Sequence, residues 1–352
     1  MSALKARIIA PEGPVKSGKP VTVKIVLTNT GEEDLAVLTW NTPLDKVITD
    51  CLVVTLNGRQ VAYDGPIVKR AAPRTKDYAK LKAGQSIEAD FDVSNAYDTS
   101  RPGVYKVRFK TPIADATSGS APAGSALMAG THERRPVRIA HQTSFSTSKG
   151  VGARLTLGAA ARQAEARAKK NAGTSTSLQK KKAAAAAVTG PLPPTLVGGS
   201  ATRKAATRKA HTDGYALCKA AIASLANDAR YREWFGTHSA TRFKKVKANY
   251  SAVRERMERV PFTYDLTGDG CDDGIFAYTY QGTSTIWYCS AFWSAPAKGT
   301  DSKAGTVVHE HTHSDASTDD INYGQEDCRA LARKKPARAV KNADSHEYYA
   351  GG

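Results

Sequence analysis

The apolar residues of this 352-residue chain repeat with a period of two in its first part and with a helical period in its last part. Alternating stretches predict strands at Val21–Leu27, Ile87–Val93 and Tyr105–Phe109. Asn57-Gly58, between two further apolar runs, is a hairpin signal. Several short strands with turn signals predict a small β-sandwich of immunoglobulin-like type for residues 1–145.

Residues 146–210 have a different composition, rich in Ala, Lys, Pro and Gly, which is typical of a linker. The stretch Ala159–Lys170 within them could form a short exposed helix. Much of the formal net charge of +18 also lies here, between Arg134 and Lys209. A basic stretch without interleaved aromatic residues or a nucleic-acid fold signature is more often solvated. We therefore expect no nucleic-acid partner.

The last part of the chain is predicted to be mainly helical. Apolar residues at intervals of three and four between Phe243 and Val260 predict a helix of about five turns. Two strand-like stretches follow, at Ile275–Tyr280 and Thr285–Tyr288. The predicted fold class is therefore α+β, with residues 211–352 forming a mainly helical domain that contains a small sheet. No apolar run approaches the length of a membrane span, so we expect no membrane partner.

The motif His309-Glu310-His311-Thr312-His313 has the form His-Glu-x-x-His. Residues four apart lie on one face of a helix, so His309 and His313 can present two imidazoles to one metal ion. Zinc suits these ligands and makes its bound water a nucleophile near neutral pH. Glu310 would take the proton from that water and later pass it to the leaving amine. His311 lies on another face and is interpreted as non-ligating.

A catalytic zinc ion needs a third protein ligand, and the turn-rich stretch from Ser317 to Gly324 offers two aspartates. From the residues alone, either Asp319 or Asp320 could reach the metal. Tyr323 could donate its hydroxyl to the oxyanion of a tetrahedral intermediate. The alternative for Tyr323 is a half-buried aromatic residue at the start of a helix.

Together these residues resemble a known family. His309–His313 followed by Thr318-x-Asp320-x-x-Tyr323-Gly324 resembles the deuterolysin, or aspzincin, metallopeptidases, whose signature is HExxH plus GTxDxxYG. Ser317 stands where that signature has its first glycine. The resemblance implies a zincin-type metalloendopeptidase domain with one Zn²⁺. It also implies that Asp320 is the third zinc ligand and that Tyr323 stabilises the transition state.

Asp344 and Glu347 bear on specificity. They are three residues apart, so on a helix they face the same way and can form an acidic pocket floor, although such pairs are often a solvated face. Their surroundings, Asn342–Tyr348, resemble the peptidyl-Lys metalloendopeptidase branch, in which the matching pair lines the S1′ pocket and selects lysine. Broad specificity remains the alternative, and arginine could be accepted, since charge alone does not exclude it.

The resemblance suggests a proenzyme. Lysines concentrate beside the predicted catalytic domain, at Lys169, Lys170, Lys180–Lys182, Lys204 and Lys209. Our hypothesis is that the sandwich is an inhibitory propeptide and that the enzyme cuts the linker itself. The expected partners are therefore protein and peptide substrates and the chain's own propeptide, with the protein a monomer. A non-enzymatic secreted binding protein, with the sandwich as its functional module, is the alternative from another class.

The cysteines indicate an oxidising compartment. Four of the five lie in the last part of the chain without C-x-x-C spacing, which favours disulfides over zinc thiolates. We expect pairs Cys271–Cys289 and Cys218–Cys328, with Cys51 a free thiol. Met1–Ala10 contains two basic residues but no apolar signal-peptide core. We thus expect a secreted protein whose export signal is not visible.

Overall fold

A computed structural model describes residues 3–45, 48–110, 112–123, 135–150, 154–173 and 190–351. The chain forms two compact units. The first comprises Met1–Pro66 and Ala72–Ala160, and the second comprises Ile67–Ala71 and Ala161–Gly352. The short segment Ile67–Ala71 thus belongs to the second unit, although its neighbours in sequence belong to the first.

The first unit is built from strands. They are β1 (Leu4–Ile9), β2 (Val15–Lys16), β3 (Thr22–Asn29), β4 (Leu35–Leu38), β5 (Leu52–Leu56), β6 (Arg59–Val61), β8 (Tyr78–Leu81), β9 (Ser86–Asp92), β10 (Gly103–Phe109), β11 (Ala116–Ser118) and β12 (Gln142–Ser148). Two short 3-10 helices, Thr75–Asp77 and Val93–Asn95, lie beside β8 and β9.

These strands form three sheets, with the orders β1-β3-β9, β2-β12-β10-β5-β6 and β11-β4-β8. All their pairings are antiparallel except β12 with β2. Their alternate side chains enclose one large apolar core, which includes the free, buried Cys51. The predicted hairpin is confirmed, since Asn57 (φ 48°) and Gly58 (φ 84°) turn the chain between β5 and β6. The immunoglobulin-like type remains a prediction.

The second unit is mainly helical and contains one sheet of five strands, so the mixed α+β class is confirmed. Its helices, with one that begins in the first unit, are α1 (Leu157–Gly173), α2 (Ala201–Ser224), α3 (Ala229–Phe235), α4 (Ala240–Arg259), α5 (Ser290–Ser294), α6 (Lys303–Ala316), α7 (Gln325–Lys334), α8 (Pro336–Ala339) and α9 (Ala343–Gly351). Its strands are β7 (Ile67–Arg70), β13 (Thr195–Val197), β14 (Thr263–Asp265), β15 (Ile275–Thr279) and β16 (Thr285–Tyr288), in the order β13-β14-β16-β15-β7. No helix in the described part of the chain is long and apolar enough to cross a bilayer.

Helix α6 is the centre of the second unit. It begins after Ser302, whose hydroxyl accepts a hydrogen bond from the Gly305 amide at 3.0 Å. Every residue from Ala304 to Ser314 is buried, because the helix packs against α2, α4, α9 and β15. It ends at Ser317, which has a φ of 55°. This left-handed conformation favours glycine, the residue that the family signature has at this place.

The predicted linker, residues 146–210, contains regular structure. It includes all of α1, all of β13 and the first turns of α2. Helix α1 confirms the expected short helix around Ala159–Lys170. Lys180–Lys182 and Ala183–Ala187 lie outside the described residues.

The cysteines agree only in part with the prediction. A disulfide joins Cys271 to Cys289, bracketing the hairpin of β15 and β16. The predicted Cys218–Cys328 bridge is wrong, because both are buried free cysteines. Cys218 packs into the core from α2, whereas Cys328, on α7, accepts a hydrogen bond from Asn342 Nδ2 at 3.2 Å. Cysteine spacing does not reveal which helix faces meet.

Candidate active site

Two turns of α6 and the loop after it bring three candidate metal ligands together. His309 Nε2 and His313 Nε2 lie 3.0 Å apart. Asp320 Oδ1 lies 3.1 Å from the first nitrogen and 3.3 Å from the second. Both histidines are fully buried, and Asp320 is nearly so. Asp320, rather than Asp319, is therefore the aspartate that the structure places beside the pair.

These distances suit a zinc ion. Zinc bound at 2.0–2.1 Å by tetrahedral ligands sets its ligand atoms roughly 3.3 Å apart. The three atoms observed have nearly this separation, and a pair of imidazoles and a carboxylate is a donor set that zinc accepts. His309, Asp344 and Glu347 also have ligand atoms within 4.8 Å of one another. The ammonium group of Lys69 lies close to the carboxylates of Asp344 and Glu347. This second group of residues is therefore already neutralised by a cation.

The outer ring nitrogen of each histidine has a defined neighbour. His313 Nδ1 lies 3.0 Å from the carbonyl oxygen of Thr318, and His309 Nδ1 lies 2.8 Å from Asp344 Oδ1. The hydrogen bond to Thr318 fixes the tautomer and the ring orientation of His313, leaving its Nε2 free for a metal ion. His311 lies on the opposite face, within hydrogen-bond distance of Tyr264 and Asp315, as its position in the helix predicts.

Glu310 is fully buried, and neither of its carboxylate oxygens has a hydrogen-bond partner among the described residues. Burial raises the pKa of Glu310 to about 7, although His309 and His313 oppose the shift. A carboxyl group with a pKa near neutrality can both accept and return a proton at physiological pH. This is the behaviour that a general base beside a metal-bound nucleophile requires.

The loop that carries Asp320 is fixed by Asn342, a residue to which the sequence assigned no role. Asn342 Oδ1 accepts hydrogen bonds from the amides of Ile321 and Asn322, each at 2.9 Å. The Asp319 amide donates to the Lys341 carbonyl, and the Ala343 amide donates to the Asp319 carbonyl. The ligand loop is thereby attached to the start of α9.

The acidic pair lies on α9, directly behind His309. Asp344 and Glu347 are both almost completely buried, so the alternative of a solvated helix face does not apply. Asp344 Oδ2 accepts hydrogen bonds from the Gly324 amide at 2.8 Å and from the Tyr348 hydroxyl at 3.2 Å. The Glu347 carboxylate lies so close to Gly305 on α6 that a Cβ atom there would come within 2.6 Å of Glu347 Oε1.

Strand β7 runs beside these groups as an edge strand of the second unit's sheet, paired antiparallel with β15. The Val68 amide donates to Asp320 Oδ2 at 3.0 Å, and the Tyr323 hydroxyl donates to the Val68 carbonyl at 3.0 Å. The sequence indicated Tyr323, but the pattern of residues did not place β7 at this site.

Comparisons with known proteins identify the family of the chain. Residues 220–351 match the family described as lysine-specific metallo-endopeptidase, the aspzincins. An extracellular protease of Aeromonas hydrophila is 34% identical, over 99% of this chain and 92% of that protein. A peptidyl-Lys metalloendopeptidase of Grifola frondosa is 28% identical, over 98% of this chain and 92% of that protein. A solved zinc peptidase from Grifola frondosa is 33% identical, with a TM-score of 0.41, and covers 43% of this chain and 96% of its own.

The chain belongs to the aspzincin metallopeptidase family, in its peptidyl-Lys metalloendopeptidase branch. It is therefore a metalloendopeptidase, a hydrolase of internal peptide bonds. The non-enzymatic alternative is excluded by this membership.

Proposed function

We propose that the protein is a secreted, monomeric zinc endopeptidase that cleaves on the amino side of lysine and is made as an inactive precursor. The observation that carries the lysine preference is the position of two buried carboxylates directly behind a metal-ligand candidate. Asp344 Oδ1 and Glu347 Oε2 lie 2.8 and 3.4 Å from His309 Nδ1. Buried carboxylates require a cationic partner, and a lysine side chain supplies one.

In this proposal His309, His313 and Asp320 hold one Zn²⁺. When bound, zinc lowers the pKa of a water molecule to near neutrality and polarises the substrate carbonyl. Glu310 would accept a proton from the attacking water molecule and donate it to the amine that leaves. Its burial and its raised pKa support both transfers.

Tyr323 is proposed to stabilise the oxyanion of the tetrahedral intermediate. Its hydroxyl already donates to a main-chain carbonyl oxygen, that of Val68, at 3.0 Å. The side chain is buried, so its hydrogen bond is formed away from bulk water, where it is stronger.

A digestion experiment tests the specificity. The wild-type enzyme with zinc is incubated with a denatured protein of known sequence, and the new termini are read by mass spectrometry. We expect lysine at the new amino termini, because an ammonium group is the side chain that the pair Asp344 and Glu347 can neutralise in the pocket. The control is the same digest with a Glu310→Gln variant, which should form new termini at least about 100-fold more slowly. Termini scattered over many residue types would instead support broad specificity.

The precursor proposal depends on where lysines are accessible. Proteases cut extended chain, so lysines within packed helices are poor targets. Lys204 and Lys209 lie in α2, and Lys169 and Lys170 lie in α1. We propose Lys180–Lys182, which lie outside the described residues, as the sites of self-cleavage.

Self-processing is tested by incubating the purified zinc-loaded precursor alone. The wild type should convert to a shorter form whose amino terminus is Lys180, Lys181 or Lys182, whereas the Glu310→Gln variant should remain intact for many wild-type half-lives. Sequencing of the product and gel electrophoresis over time measure this. Conversion of the variant at the wild-type rate, without other proteases, would contradict self-processing.

Two observations support secretion. The Aeromonas hydrophila relative is named an extracellular protease. The Cys271–Cys289 disulfide is a bond that persists in oxidising compartments.

A further inference from the structure

Lys69 is a fully buried lysine in strand β7. Its ammonium nitrogen lies 2.6 Å from Glu347 Oε2, 3.2 Å from Asp301 Oδ1 and 3.5 Å from Asp344 Oδ1. It also lies 5.1 Å from the centre of the Phe276 ring. Although burial opposes the charge, the three carboxylates raise the pKa of Lys69 well above its ordinary value. This side chain is a bound cation in the proposed S1′ pocket.

The backbone around Lys69 also has the arrangement of a substrate. Tyr323 contacts the carbonyl of Val68, and the side chain of the next residue, Lys69, fills the pocket. The peptide bond between these two residues therefore lies where a scissile bond would lie. The Val68 amide donates to the second oxygen of Asp320, the candidate zinc ligand. Antiparallel pairing with β15 matches Lys69 to Ala277 and Val68 to Tyr278, and the Ala71 amide donates to the Gly274 carbonyl at 2.9 Å. Extended peptides bind sheet edges in this way.

We propose that Ile67–Ala71 occupies the substrate cleft as an internal competitive inhibitor, with Val68 at P1 and Lys69 at P1′, and that Asp301 is a third carboxylate of the lysine pocket. The inference rests on the proposed function, because it takes the cleft to be that of a lysine-specific endopeptidase. It adds the identity of the inhibitory element and a specificity residue, Asp301, to which the sequence assigned no role.

The position of the segment in the chain explains how inhibition would end. Pro66 and Ala72, on either side of the segment, belong to the first unit. While the chain is intact, the segment is present at the effective concentration of a tethered ligand, on the order of millimolar. Cleavage within residues 174–189 would turn it into a separate molecule that dilution removes.

Peptide binding to the full-length zinc-loaded Glu310→Gln protein tests this without hydrolysis. The probe is a fluorescent hexapeptide with a single lysine, and fluorescence anisotropy gives its apparent Kd. Adding Lys69→Met, which keeps much of the side-chain volume but removes the charge, should tighten binding at least about tenfold, since the competing ligand is lost. Adding Lys106→Ala, at an exposed lysine of β10, should leave the Kd unchanged. An unchanged Kd in a folded Lys69→Met protein would overturn the proposal.

A second measurement covers the case in which Lys69→Met does not fold. The Glu310→Gln protein is treated with an amine-acetylating reagent, and each lysine is followed by mass spectrometry. Lys69 should react at least about tenfold more slowly than Lys106, and an excess of the lysine peptide should accelerate its labelling. A peptide with norleucine in place of lysine should not. Equal reaction of Lys69 and Lys106 would overturn the proposal.

The pocket residue has its own test, on enzyme that has completed processing. Asp301→Asn should raise KM for the lysine peptide severalfold with little change in kcat, because Asp301 contacts the ammonium group and not the reacting atoms. An unchanged KM would remove Asp301 from the pocket. Digestion by the wild type is read in parallel. If the wild type cleaves before lysine but Lys69→Met leaves the peptide Kd unchanged, the inhibitory role of Ile67–Ala71 is refuted and the proposed function stands. Scattered termini refute the proposed function.

Discussion

Replacing Glu310 with glutamine is expected to lower kcat/KM by about 10²–10⁴, the range that loss of a general base usually costs. The amide has nearly the size of the carboxyl group but cannot accept the proton of the attacking water. Glu310 is buried and makes no hydrogen bond that the described residues reveal, so the exchange should leave the fold intact. The loss should appear in kcat, since the proton transfer belongs to the transition state.

The measurement is the hydrolysis rate of a lysine peptide by variant and wild type at equal zinc content. Circular dichroism and metal analysis are the controls, and both should match the wild type. A variant that retains wild-type kcat would assign the proton transfer to another group. A variant that loses zinc as well would show only that Glu310 supports the metal site.

Replacing Asp320 with alanine should remove both zinc and activity. Loss of a group that only orients a ligand usually costs 10–100-fold in metal affinity, and loss of a ligand itself should exceed about 100-fold. Asp320 Oδ1 forms a triangle of candidate ligand atoms with His309 Nε2 and His313 Nε2. Without it, a tetrahedral ion would keep two protein ligands, fewer than a catalytic zinc site contains.

Asp319→Ala is the matched control, because it removes the neighbouring carboxylate of the same loop. The Asp319 main chain is paired with Lys341 and Ala343, and the substitution preserves those hydrogen bonds. This variant should keep zinc affinity within about tenfold of the wild type, a smaller change than the loss of any metal ligand. Competition with a chromophoric chelator measures both affinities. Equal losses in the two variants would mean that the loop as a whole, rather than one ligand, was disturbed.

The sequence predicted those features that depend on local spacing. His309 and His313 share a face because four residues make one helical turn, and the helix is where the pattern places it. The choice of Asp320 over Asp319 came from family resemblance, since either residue fits a loop of this length. Hydrophobic periodicity likewise predicted the two types of structure along the chain.

Contacts between distant segments could not be predicted in the same way. Lys69 lies in Ile67-Val68-Lys69-Arg70, whose apolar start suggests a strand but not its partner. The available signal that this strand contacts the site was a lysine within it, in a chain predicted to bind lysine. The role of Asn342 could not be predicted either, because a side-chain amide that hydrogen-bonds to a loop produces no periodic pattern in the sequence. The failed Cys218–Cys328 pairing has the same cause.

Under the proposed lysine specificity, Asp344 limits how this enzyme could change its substrate preference in evolution or by engineering. Its one carboxylate contacts His309, the Gly324 amide and the Tyr348 hydroxyl as well as the lysine ammonium group. A substitution that adapts the pocket to another side chain would therefore also loosen a metal-ligand candidate. Asp301, on a partly exposed loop, contacts the ammonium group without contacting His309. New specificities should accordingly begin with changes at Asp301.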